Sequence, residues 1–73
     1  MKLIKATLHV FDDIVYLSIT NKVVSNDSGD LLNYSFFTLR FPNLSRAMRY
    51  LEQMARVIVD TDYHMEINIV KVS

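Results

Sequence analysis

The sequence predicts an α+β fold: a single helix packed on one face of a four-stranded, mostly antiparallel sheet, with the elements in the order β-β-β-α-β. Three observations predict it. Apolar residues recur at every second position in most of the chain, the period of a half-buried strand. They recur at helical spacing in one stretch only, from Leu44 to about Val59. The only Pro and the only Gly, Pro42 and Gly29, stand at breaks between these stretches.

From Lys2 to Phe11, Ile4, Ala6, Leu8 and Val10 alternate with Lys5, Thr7 and His9, with Leu3 and Phe11 as apolar exceptions on the outer side. A turn at Asp12-Asp13 leads into a second strand in which Val15, Leu17 and Ile19 alternate with Tyr16, Ser18 and Thr20, so the two form a hairpin. Ser25-Asn26-Asp27-Ser28-Gly29-Asp30 concentrates residues that supply positive φ or bond their own backbone, and reads as a surface loop. The third strand, Leu31 to Phe41, carries two apolar sets, Phe37, Leu39, Phe41 and Leu32, Tyr34, Phe36, so both its faces call for cover. Pro42 cannot donate to a sheet ladder and Asn43 can cap a first turn, which ends the strand and starts the helix. Leu44, Ala47, Met48, Leu51, Met54, Ala55 and Ile58 fall on the side that faces the sheet, with Ser45, Arg46, Arg49, Glu52, Gln53 and Arg56 opposite, ending at Asp60. In the last strand, about His64 to Val72, Met65, Ile67 and Ile69 alternate with Glu66 and Asn68. A right-handed crossover through the helix sets this strand parallel to the first, without fixing the order of strands in the sheet.

A chain of 73 residues makes one domain, 1–73. Burying only about 60% of the surface its unfolded chain exposes, such a domain is marginal alone and gains from association. There is no cysteine, which excludes disulfides and thiolate zinc sites and points to an intracellular setting. Met1-Lys2-Leu3-Ile4-Lys5 lacks the apolar stretch of a secretory signal and no later run approaches a membrane span, so the expectation is a soluble, cytoplasmic protein that meets no membrane. Eight basic residues balance eight acidic ones, which disfavours a general polyanion binder.

Little in the chain suits catalysis. His9 and His64, the only histidines, stand in no metal-ligand or catalytic spacing, and there is no glycine-rich phosphate loop or calcium loop. Asp12-Asp13 and Asp60-Thr61-Asp62 sit where turns are expected, and Ser45 reads as a first-turn residue of the helix. The expectation is a protein that is not an enzyme, with no cofactor and no metal.

The surplus of apolar residues is the informative feature. Hydrophobic side chains make up 51% of the chain, a sheet has two faces, and one helix covers one of them. The uncovered face carries Leu3, His9, Phe11, Tyr16, Tyr34, Phe36 and Arg40, expected as a contiguous apolar patch that marks an interaction surface. Aromatics and arginine supply most interface energy, so the candidate partner-binding residues are Tyr16, Tyr34, Phe36 and Arg40, with Phe11 at the rim. Arg46, Arg49 and Arg56 form a secondary basic stripe on the outer helix face, with local pairing to Glu52 as its plainer explanation. The expected activity is protein binding through the uncovered face or an exposed strand edge, either to a second copy as a homodimer or to a larger protein that it occupies and blocks. The weaker alternative is single-stranded RNA stacked on the sheet aromatics and held by the helix arginines, against which stands the missing glycine-rich aromatic motif of that fold. A third reading is an ordinary monomer whose twisted edges and Lys5 cover the rings. In size, neutrality and lack of catalytic residues the chain is similar to compact accessory proteins of phages and mobile elements that inhibit a host enzyme or defence complex. That likeness is one of style and covers no particular residues.

Overall fold

The computed structural model describes residues 1–57 and 63–72. Its elements are β1 (Lys2–Val10), β2 (Val15–Val24), β3 (Leu31–Phe41), α1 (Leu44–Val57) and β4 (Tyr63–Lys71). They form a mixed sheet of order β3-β2-β1-β4, antiparallel at β3-β2 and β2-β1 and parallel at β1-β4. The strand-strand-strand-helix-strand order and the parallel last strand are as the sequence predicts. The expected turn at Asp60-Thr61-Asp62 and the inward Ile58 lie outside the described residues.

Local chemistry sets the breaks. The β1–β2 turn is closed by the Phe11 amide donating to the Ile14 carbonyl at 2.9 Å. In the β2–β3 loop the Ser25 hydroxyl accepts from the amides of Asp27 and Ser28, the Gly29 amide donates to the Ser25 carbonyl at 2.9 Å, and Gly29 takes φ +74°, which only glycine adopts without strain. Asn43 caps α1 as expected, its Oδ1 accepting the Arg46 amide at 2.9 Å. β2 runs on past the apolar alternation to Val24, because Asn21, Lys22 and Val23 still find partners in Ile4, Leu3 and Lys2 of β1.

One face of the sheet meets α1. The fully buried core is Ile4, Ala6 and Leu8 of β1, Val15, Leu17 and Ile19 of β2, and Ala47 and Leu51 of α1. Small side chains in both layers, Ala6 and Ala47, let helix and sheet approach. Val10, Phe41, Leu44, Tyr50, Met54, Tyr63 and Met65 pack around this cluster. The inward stripe of α1 therefore differs from the expected one: Tyr50 turns in against Phe41, ring centroids 5.5 Å apart, while Met48 stays exposed on the other flank.

The helix is narrower than the sheet it covers. Four strands spaced about 4.8 Å apart put their outer axes ~14 Å from each other, whereas a helix with its side chains is about 10 Å across. α1 lies over β1, β2 and the end of β3, and among the described residues it makes no close backbone approach to β4. Both margins of the covered face are left open. At one, Phe37 of β3 is exposed; at the other, Ile67 and Ile69 of β4, which share a face with Ala6 and Leu8, are 44% and 57% exposed. The sequence reading placed the apolar surplus on the uncovered face or at an edge of the sheet; the finite width of one helix also leaves part of it on the covered face, beside the helix.

Candidate protein-binding surfaces

Strand register fixes the open face row by row. His9, Tyr16, Arg40 and Val70 lie level; then Thr7, Ser18, Thr38 and Asn68; then Lys5, Thr20, Phe36 and Glu66; then Leu3, Lys22, Tyr34 and His64. All five candidate binding residues share this face or its rim, and none is buried. They do not make the single contiguous patch expected. Phe11 and Tyr16 meet edge to face at one end, centroids 5.8 Å apart, beside Arg40. Tyr34 and Phe36 sit near the other end, 52% and 58% exposed, with the Lys22 ammonium 6.0 Å from the Tyr34 ring. Tyr16 and Phe36 are separated by four residues of strand, ~13 Å, and by a row of small polar side chains in which the Ser18 and Thr38 hydroxyls lie 3.5 Å apart. Period-two alternation assigns these residues to a face, but only the register shows that polar residues divide them.

The stronger cluster is the arm formed by the loop-proximal half of β3. From Leu31 to Thr38 every residue of β3 is exposed, because α1 covers only the strand's far end. Tyr34 and Phe36 project on the open face and Phe37 on the other, with Leu31 and Leu32 beyond them. Leu31, Leu32 and Phe37 were not singled out from sequence as binding residues; the signal was the doubled apolar pattern of this strand, which asks for cover on both sides.

The main chain adds a second property. Along a strand both polar groups of a residue point to one side and those of the next residue to the other. The amides of Phe11 and Val24 bond the Ile14 and Met1 carbonyls across the β1–β2 junction, so odd residues of β2 bond β3. Their partners Ser35, Phe37, Leu39 and Phe41 therefore face β2, and Tyr34, Phe36, Thr38 and Arg40 direct their polar groups at the free edge. The Tyr34 amide fits this geometry: it donates to its neighbour's Asn33 Oδ1 at 2.8 Å in place of a strand. Phe36, Thr38 and Arg40 thus combine open-face side chains with outward amides on one sheet edge, the layout that accepts an added strand.

The helix arginines stand on the other side of the molecule. Arg56 pairs with Glu52 at 2.9 Å, both well exposed, an i,i+4 surface pair of small energetic weight. Because the sheet separates Arg46, Arg49 and Arg56 from Tyr34 and Phe36, a single nucleic-acid strand cannot lie on both groups without wrapping an edge. His9 lies level with Tyr16 and His64 with Leu3, and among the described residues no three His, Asp or Glu side chains gather as a metal site. No helix among the described residues is long and apolar enough to cross a membrane. Comparison of the chain with protein families, with curated proteins and with solved structures finds no match.

Proposed function

We propose that the chain is a non-catalytic protein-binding module, a small inhibitor or accessory protein that acts by occupying the surface of a larger protein, and that the β3 arm is its binding element. A strand or extended segment of the partner adds to the free edge at Phe36, Thr38 and Arg40. Main-chain hydrogen bonds give the affinity, while Tyr34 and Phe36 on one side and Phe37 on the other fill pockets on the partner. The observation that carries this reading is the coincidence, on one edge, of exposed aromatics and outward amides. Tyr16, Phe11 and Arg40 extend the footprint at the far end of the open face, where arginine and aromatic anchors suit a polar rim.

The test is affinity capture from the cells that produce the protein, with the wild-type chain and with Tyr34→Ser/Phe36→Ser. Both rings are more than half exposed, so the double variant keeps its far-ultraviolet circular dichroism. A protein retained by the wild type and by Arg46→Glu, but lost with the double variant, supports the proposal. Retention by the double variant, or capture of RNA in a salt-sensitive manner that Arg46→Glu abolishes, refutes it.

A further inference from the structure

We infer that the free edge of β4, with the groove beside it, binds a second copy of this chain, the two β4 strands running antiparallel about a two-fold axis through Ile67. The inference does not rest on the role proposed for β3.

The Val72 amide donates to the Val10 carbonyl at 2.9 Å, so the even-numbered residues of β4 bond β1. Tyr63, Met65, Ile67, Ile69 and Lys71 therefore direct their amides and carbonyls at the free edge. These are also the residues whose side chains share the helix-covered face, where α1 fails to cover Ile67 and Ile69. Alongside runs a groove of about 520 Å³ lined by apolar residues of α1 and β4, among them Met48, Leu51, Met65 and Ile67, together with the charged Arg49 and Glu52. Among the described residues no strand pairs with this edge, and an edge whose outward main-chain groups include those of exposed apolar residues, here Ile67 and Ile69, is a template for another strand.

What selects a second copy is the self-complementarity of the strand. A two-fold interface requires that residue i meet j and j meet i. With the axis at Ile67, Ile67 opposes its own mate, Met65 opposes Ile69 of the second copy, and Glu66 opposes Asn68 of the second copy. At the centre of the seam apolar meets apolar on the helix side and carboxylate meets amide on the open side, a pair already compatible within one chain, where Asn68 Nδ2 donates to Glu66 Oε1 at 3.2 Å; at its ends Tyr63 opposes Lys71 and His64 opposes Val70 of the second copy. The residues with outward polar groups fall opposite one another, each pair exchanging two main-chain hydrogen bonds, about six from the three central pairs of Met65, Ile67 and Ile69. Ile69 of the second copy lands beside Met65, at the groove. Neighbouring registers fail: an axis at Asn68 sets Met65 against Lys71 and Glu66 against Val70, and an axis at Glu66 sets that carboxylate against itself.

Sedimentation equilibrium over a dilution series from millimolar to micromolar tests this. The wild-type chain is expected to approach twice the 8.5 kDa of one chain at high concentration and to dissociate on dilution. Asn68→Glu puts like charges opposite each other twice, and Ile69→Lys puts a charge on the apolar side; each moves dissociation to concentrations about tenfold higher or more. Adding Glu66→Lys to Asn68→Glu restores association, since opposite charges then face each other across the axis. Tyr34→Ser/Phe36→Ser leaves it unchanged. If Ile69→Lys disturbs the circular dichroism, the charge variants at positions 66 and 68 decide alone. A single-chain mass at millimolar concentration, a dimer indifferent to Asn68→Glu, no rescue by the second charge, or a dimer lost with the Tyr34 and Phe36 changes overturns the inference; the last moves self-association to β3.

Discussion

Leu51→Ala measures how firmly the helix is held, because α1 is fastened to the sheet by few buried side chains. Leu51 is 2% exposed and, with Ala47, makes up the fully buried part of the helix. Truncating a buried leucine costs ~2–5 kcal/mol, from lost transfer energy and from the cavity left behind. Leu51 also lines the groove beside β4, so the site can relax or admit water on that side, and we expect about 3 kcal/mol. A 73-residue domain has in total about 4–11 kcal/mol to lose, so the substitution removes a large share of it. With a slope of about 1 kcal/mol per molar urea for a domain of this size, the unfolding midpoint falls by roughly 3 M. Urea titration followed by circular dichroism at a helix wavelength reads this, with protein concentration held fixed because self-association would stabilise the fold by mass action. Met48→Ala is the control: Met48 is 39% exposed and its loss costs under about 1 kcal/mol. A Leu51→Ala effect no larger than that of Met48→Ala would refute the packing described. So would loss of the helix signal in a separate, earlier transition, since it would remove α1 from the cooperative unit.

Two further substitutions test the local chemistry. Asn43→Ala removes the acceptor of the Arg46 amide and is expected to cost about 1 kcal/mol in the same titration, whereas Asn43→Asp keeps most of the cap. Gly29→Ala meets no atom within 4 Å at its new Cβ, so its expected cost of about 1 kcal/mol comes from the positive φ alone; Gly29→Asn, better tolerated there, loses less.

The elements were legible because each has a local cause. Alternation marked the strands, and Pro42 followed by Asn43 marked the passage from β3 to α1. The parallel setting of β4 followed from the handedness of crossovers, and the facing of Tyr34, Phe36 and Arg40 from period two. What was not legible depends on distances across the sheet. Ile67 and Ile69 alternate with Glu66 and Asn68 as any half-buried strand does, and nothing in that pattern says that β4 lies beyond the reach of a single helix. The division of the open face into two aromatic groups was equally hidden, because it depends on Ser18 and Thr38 falling level with each other in the β2–β3 register. Asn21 is a further case: its position on β2 reads as part of an inward row, yet its Oδ1 is buried and finds no hydrogen-bond partner among the described residues.

The sheet order β3-β2-β1-β4 sets the arm and the self-complementary edge on opposite margins, so filling one leaves the other open. Two chains joined at β4 become one eight-stranded sheet that carries an arm at each end, ~34 Å apart. If both proposed contacts hold, such a pair would be a bivalent clamp suited to a target that is itself symmetric, and its grip would strengthen through effective concentration with no improvement in either contact.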